Sequence, residues 1–276
     1  MQPATYLDQI VAAHRAHAET DRRDKGALFA QAEATPAPRG FRDQVANHQS
    51  LAVVAEIKRR SPSKGDIASG LDVEAVAREY AAGGAACLSV LTDERFFGGS
   101  AQDLVVARGV CALPVLRKDF TVGEADVCDA RIMGADAVLL IAGVLSDEEL
   151  GELHALVREL AMDALVEVHD EEELDRALAL GVELVAVNQR DLETFEVDTT
   201  RATRLARSIP SGVVAVAESG IASAEDARVL ADAGYQAVLV GESLLRARDR
   251  RKSVSELGGH EVAPRKGAAV HGRARR

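Results

Sequence analysis

The amino-acid sequence predicts an α/β chain: a (β/α)8, or TIM, barrel with an N-terminal helical extension. Two observations carry the barrel. First, a helix that ends near a glycine and passes at once into an apolar strand recurs four times, as AAGGAACLSV (81–90), IMGADAVLLI (132–141), ALGVELVAVN (179–188) and ADAGYQAVLV (231–240). Glycine enters the left-handed conformation without a Cβ clash and so ends helices, while short continuous apolar runs belong to strands covered on both faces of a parallel sheet. Second, 276 residues suit one complete barrel, whose core at that size needs no staples.

Taken in order, eight strands are expected at 52–57, 86–91, 114–117, 137–141, 164–168, 184–187, 213–217 and 237–240. Helices lie between them, among them 73–82, 147–160 and 171–180. Acidic residues crowd two of these helix starts (Asp147, Glu148, Glu149; Asp170, Glu171, Glu172), where the helix dipole favours them, and Ser146 and Ser223 are expected N-caps. Eight such units in about 200 residues fit a closed barrel, with a doubly wound open sheet as the alternative.

Two flanks stand outside the repeat. Residues 4–20 carry Leu7, Ile10, Val11 and His14 on one helical face, and a Pro-containing connection leads from them to a short segment near 41–46. The chain therefore divides into a helical extension (1–50), a catalytic barrel (51–255) and a basic tail (256–276) poor in large apolar residues and expected to be disordered.

Composition narrows the function. From Arg246 onward ten Lys/Arg face three Asp/Glu, and that surplus of +7 leaves −18 on residues 1–245 of a chain whose net charge is −11. So acidic a body argues against nucleic acid as a partner. Three dispersed cysteines (Cys87, Cys111, Cys128) read as reduced thiols. No apolar run suits a membrane span, and the N-terminus lacks a secretory pattern, so a cytoplasmic protein without membrane attachment is expected, a monomer or weak homo-oligomer.

In such a barrel the C-terminal ends of the strands form the active face. Those positions hold Glu56 and Lys58 with Ser61 beyond, then Lys118, Asp119 and Phe120, then Glu167, then Asn188 and Arg190, then Glu218, Ser219 and Gly220, and finally Gly241, Glu242 and Ser243. Gly220 or Gly241 alone would mean a tight turn. On the last two strands together, each before a helix start, they predict a phosphate site. Glu56, Lys58, Lys118 and Glu167 should lean over one mouth and shift each other's ionisation toward acid–base work, where any single pair would be a structural ion pair. Asn188 and Arg190 are placed to orient a hydroxyl or carboxylate, or to cap a loop.

Other chemistries lack their patterns. SPSKG (61–65) is not spaced as G-x-x-x-x-G-K-[ST], and no G-x-G-x-x-G follows a strand. His14 and His17 lie three apart with no third ligand nearby, so a surface position is expected for them and no metal.

The runs AEIKRRSPSKG (55–65), LTDERFFGGS (91–100), PVLRKDF (114–120), LVEVHD (165–170), VAVNQRDLETFEVD (185–198), AESGI (217–221) and VLVGESLL (238–245) resemble the indole-3-glycerol-phosphate synthases in order and spacing, to about residue 250. The resemblance implies a carboxy-lyase of tryptophan biosynthesis that closes the indole ring of 1-(2-carboxyphenylamino)-1-deoxyribulose 5-phosphate with loss of carbon dioxide and water, without cofactor or metal. It implies that Lys118 protonates the substrate carbonyl, that Glu167 with Asn188 serves the dehydration, that Lys58 holds an anionic end and that Glu56 tunes the lysines. Phe97 and Phe120 would pack on the anthranilate ring, Arg190, Ser61 and Glu218 would help hold the substrate, and Ser219, Gly220, Gly241 and Glu242 would hold its phosphate. Gln189 departs from the Asn or Ser usual there, and Glu242 adds a negative charge beside the phosphate, so only its backbone is expected to bind. A sugar-phosphate isomerase on the same fold would use a Cys or an Asp pair, and no cysteine ends the first strand. A non-enzymatic phosphate sensor would have lost Lys118 and Glu167, which are present.

Overall fold

In a computed structural model that describes residues 5–265, eight parallel strands close on themselves. They are β1 (Ala52–Ile57), β2 (Cys87–Leu91), β3 (Val115–Lys118), β4 (Ala137–Ile141), β5 (Asp163–Val168), β6 (Leu184–Asn188), β7 (Val214–Glu218) and β8 (Ala237–Val240). Each pairs with its neighbour in sequence, and β1 closes the ring on β8 through Ala52↔Ala237 to Ala55↔Val240. The expected strands match these within one residue at either end. The helix at Val73–Ala82 lies where the sequence placed it, and Ser146 and Ser223 cap their helices through reciprocal side-chain bonds.

Alternation along the strands sorts the barrel into two cores. Val53, Ala55 and Ile57 of β1 face the surrounding helices, as do Val166 and Val168 of β5. Ala52, Val54, Leu116, Leu139, Leu165, Ala186, Val216 and Leu239 fill the barrel interior. Continuing these inward rows by two residues reaches Glu56, Lys118, Glu167, Asn188, Glu218 and Gly241, with apolar Ile141 ending the row of Leu139. The apolar layers thus form a floor, and the polar layer lies on it at the C-terminal mouth.

The N-terminal extension wraps the barrel from top to bottom. Helix Tyr6–Thr20, started by a Thr5–Asp8 capping box, lays Leu7 and Ile10 against the mouth. A helix that the sequence reading lacked, Lys25–Glu33, packs on Glu124–Ile132. The short helix Phe41–Ala46 then buries Phe41 and Val45 among Ala52, Ala137 and Val214, plugging the N-terminal end. Buried Asp136 ties this return path to the barrel, accepting the N–H groups of Arg39 (2.8 Å) and Val115 (2.7 Å) and an Arg108 bond (3.1 Å).

Residues 256–265, counted with the tail in the sequence, are among the described residues. Helix Arg250–Leu257 covers the strands, and the chain then crosses the barrel base, where the carbonyl of His260 accepts Leu51 N–H at 2.8 Å. Arg265 donates to the carbonyl of Gly234 (2.7 Å) and to Gln236 Oε1 (2.8 Å). These backbone groups at strand starts need partners once buried, and the tail supplies them. Residues 266–276, the rest of that tail, and 1–4 lie outside the described residues.

Candidate active site

A cavity of about 590 Å³ opens at the C-terminal mouth. All of the catalytic, substrate-binding and phosphate-binding residues named from the sequence line it. Its centre is the ammonium of Lys118, which donates to Oε2 of Glu167 at 2.8 Å and lies 3.3 Å from Oε2 of Glu218. Lys58 forms a separate ion pair with Glu56. Two residues apart on one inward row, they meet side by side above the floor.

Ionisation is uneven within the cluster. Burial pulls Lys118 down, but the acidic groups around it, Glu167 foremost, outweigh it and hold the ammonium more firmly protonated than usual. Burial also opposes the charge on Glu167, yet Lys118 and His169 beside it hold that carboxyl well below its ordinary value. Glu218 goes the other way: burial and the neighbouring Glu167 charge push it well above. Like charges so close disfavour each other's ionisation in a dry site, so the pair shares its charge unevenly, with Glu167 the more acidic member. Oε1 of Glu218 has no hydrogen-bond partner among the described residues. The sequence reading made Glu218 a substrate contact; the fold makes it part of the Lys118 cluster as well.

Asn188 clamps the anionic member. Its Nδ2 donates to Glu167 Oε1 at 3.0 Å, its Oδ1 accepts the Arg190 N–H at 3.0 Å, and its carbonyl accepts from Arg201 at 3.0 Å. Arg190 bonds the Phe195 carbonyl at 2.9 Å, which fixes the loop after β6. On the opposite wall Asp93 caps the four-residue helix Glu94–Phe97 and so positions Phe97, whose ring lies 6.4 Å from that of Phe120.

At the other end, Ser219 (φ 69°) and Gly220 (φ 72°) both adopt left-handed backbone. A Cβ on Gly220 would meet Val197 Cγ1 at 2.6 Å, and one on Gly241 would meet Glu56 Oε1 at 2.3 Å. Close approach therefore demands glycine at both positions. Among the described residues, the amides of Gly220, Ile221 and Gly241 donate to no protein acceptor. Just ahead of the helix after β7, the Asp226 carboxylate accepts the N–H groups of Ala222 (3.0 Å) and Ser223 (2.9 Å), so these two amides are already taken. The Glu242 side chain leans toward Arg246 (3.4 Å), leaving its backbone to face the cavity rim.

Two residues surface only in three dimensions. Gln189 is buried, and its Nε2 donates to the Ser219 carbonyl at 2.8 Å, holding the strained turn. His14, expected on the surface, lies against the mouth: Nε2 is 3.0 Å from Asp93 Oδ2 and 3.8 Å from Asp119 Oδ1. This trio stands within metal-ligand reach of one another. Asp93 also accepts the amides of Phe96 and Phe97, and Asp119 those groups of Thr92, Arg117 and Phe120 that point at it, so their oxygens are already hydrogen-bonded.

A parallel eight-stranded barrel with a buried lysine–carboxylate centre and open amides at its C-terminal mouth is an enzyme of the (β/α)8 class. The family profile described as "Indole-3-glycerol phosphate synthase" matches residues 7–257. Indole-3-glycerol phosphate synthase from Rhizorhabdus wittichii is 49% identical over 233 residues, covering 83% of this chain and 88% of that protein. The synthase from Desulfotalea psychrophila is 44% identical over 254 residues, covering 91% and 97%. Indole-3-glycerol phosphate synthase 2 of Streptomyces coelicolor is 47% identical, covering 86% and 92%. A thiamine phosphate pyrophosphorylase from Pyrococcus furiosus superposes with a TM-score of 0.56 at 19% identity, covering 75% of this chain and 93% of that one, a likeness of fold alone. The chain belongs to the indole-3-glycerol phosphate synthase family, carboxy-lyases of tryptophan biosynthesis. No helix among the described residues is long and apolar enough to cross a membrane.

Proposed function

We propose that the cavity takes 1-(2-carboxyphenylamino)-1-deoxyribulose 5-phosphate and that Lys118 is the acid of ring closure. The observation that carries this reading is the Lys118 ammonium at the centre of the cavity floor, 2.8 Å from Glu167. The aromatic carbon bearing the carboxylate attacks the substrate's C2 carbonyl, and the carbonyl oxygen takes a proton from Lys118. The carbon–carboxylate bond then breaks, its electron pair restores the aromatic ring, and carbon dioxide leaves. Loss of the new hydroxyl as water needs one proton delivered to oxygen and one removed from C1. Glu167, ionised and held by Asn188, serves as base.

Lys58 holds the substrate carboxylate until it departs, with Glu56 limiting how far that lysine swings. Phe97 and Phe120 flank the anthranilate ring, Ser61, Arg190 and Glu218 bound the sugar chain, and the phosphate lies on the amides around Ser219, Gly220, Gly241 and Glu242. Buried free Cys87 and Cys128 support a reducing, cytoplasmic setting.

The test is indole formation followed by absorbance with purified protein and no added metal. Lys118→Ala should lower kcat by about 10²–10⁴, the usual range for a lost general acid, while binding of a phosphorylated substrate analogue persists. Full turnover in that variant overturns the assignment to Lys118. No indole from the wild type overturns the reaction.

A further inference from the structure

His169 stands just past the end of β5, two residues beyond Glu167, and takes no part in the cavity wall. Its Nε2 lies 3.4 Å from Glu167 Oε1, and its Nδ1 lies 3.1 Å from Glu173 Oε2. The same Glu173 oxygen accepts the His169 backbone N–H at 2.8 Å, which sets the approach of the ring. Glu173 belongs to helix Glu171–Ala179, and its carboxylate packs over Gly143, where a Cβ would fall 2.5 Å from Oε1. The chain after β4 thus lies directly against Glu173.

Only the Nδ1–Glu173 contact is a hydrogen bond; Nε2, buried and without a hydrogen-bond partner among the described residues, faces Glu167 as an ion-pair contact. A ring with a carboxylate before each nitrogen is favoured as the doubly protonated cation. Burial lowers its pKa, but Glu167 and Glu173 together raise it to about 10. These two are the charged groups facing the ring, one from its own strand and one from the following helix. Lys118 of β3 holds the other oxygen of Glu167, with Glu218 of β7 beside that lysine. Glu167 therefore has two cations, one inside the cavity and one behind its wall. They differ in turnover. Lys118 must turn to the substrate and give up a proton, and a buried carboxylate left beside Glu218 is then drawn toward protonation.

We propose that His169 is a positioning residue for the reaction: wedged between Glu167 and Glu173, it keeps the base ionised and aimed while Lys118 is engaged with substrate. This rests on the assignment of Glu167 to proton transfer. A role confined to bracing the start of helix Glu171–Ala179 would affect folding and leave the pH dependence of kcat alone.

The experiment compares full-length wild type with His169→Gln and His169→Lys. Losing a neighbouring cation raises a carboxyl by about one pKa unit or more. His169→Gln should therefore move the acid limb of the kcat profile up by about one pH unit, a loss that reaches about tenfold only at the acid end of that limb and vanishes on the plateau, and should leave KM within about twofold. His169→Lys should return the limb toward its wild-type position. In wild-type NMR spectra the His169 Cε1–H resonance, assigned by its absence from His169→Gln, should keep its protonated shift up to pH 9. Parallel kcat profiles for wild type and His169→Gln, or a ring titrating near 6.5, overturn the proposal. An inactive Glu167→Gln beside such parallel profiles would sink the His169 inference alone; an active Glu167→Gln would sink the assignment beneath it.

Discussion

Lys118 and Glu167, 49 residues apart in the chain, meet at 2.8 Å on the floor of the barrel mouth. Glu218 lies 3.3 Å from the same ammonium, and burial and the Glu167 charge push its carboxyl well above the ordinary value. Two carboxyl groups of the same chemistry are thus shifted in opposite directions on either side of one lysine.

That asymmetry is testable by amide substitution. A glutamine imitates a neutral carboxylic acid but not a carboxylate. Glu167→Gln should lower kcat by about 10²–10⁴, whereas Glu218→Gln should cost less than about tenfold because its carboxyl is shifted toward the neutral form. Steady-state kinetics of both variants at pH 7.5 decide it. A Glu218→Gln enzyme that is the more damaged reverses the assignment.

Gly220 carries the left-handed turn beside the open amides, at φ 72°. Alanine there costs about 1–2 kcal/mol in backbone conformation and drives a methyl into Val197. The outcome expected for Gly220→Ala is a KM raised about tenfold or more, with inorganic phosphate losing its power to inhibit. An unchanged KM with phosphate still competing would place the phosphate elsewhere.

Asp136 is fully buried and joins Arg39 of the extension to Val115 and Arg108 of the barrel. Asp136→Ala leaves those donors unmet, and breaking a buried charged pair of this kind costs about 3–5 kcal/mol. Urea unfolding should report that loss while kcat per folded molecule stays the same. A loss under about 1 kcal/mol would mean that the network is no stronger than a surface pair.

His14 couples the N-terminal helix to the mouth in a pH-dependent way. Burial lowers its pKa, but the hydrogen bond to Asp93 and the charges of Asp119, Asp93 and Asp126 raise it above 6.5 overall. A raised folded-state value means that protonation favours the folded form. The stabilisation is fully present at and below pH 6.5 and fades as pH climbs through the folded-state value. Wild type should therefore exceed His14→Gln in unfolding free energy by more at pH 6 than at pH 9. An equal difference at both pH values would show that the ring acts by packing alone.

Much of the architecture is legible along the chain. Glycine-ended helices followed by apolar runs mark four of the eight βα units, because the left-handed cap and two-sided burial are local demands on residue type. Period-two alternation then places Glu56, Lys118, Glu167, Asn188 and Glu218 on inward rows before any contact is known. The motifs from AEIKRRSPSKG to VLVGESLL add the family, since order and spacing survive in the sequence itself. The helix Lys25–Glu33 went unread because its apolar pattern is weak and its packing on Glu124–Ile132 fixes it.

What the sequence by itself determined is therefore the barrel, its active end and the residues gathered there. Only the tertiary structure decided how those residues share charge: that Glu167 is more acidic than Glu218, that His14 and His169 sit among carboxylates, that Asp226 takes the amides of Ala222 and Ser223, and that Gln189 props Ser219. The reason is physical. Residue type and spacing settle which way a side chain points, but ionisation and hydrogen-bond partnership depend on burial and on distances of about 3–4 Å between groups far apart in the chain.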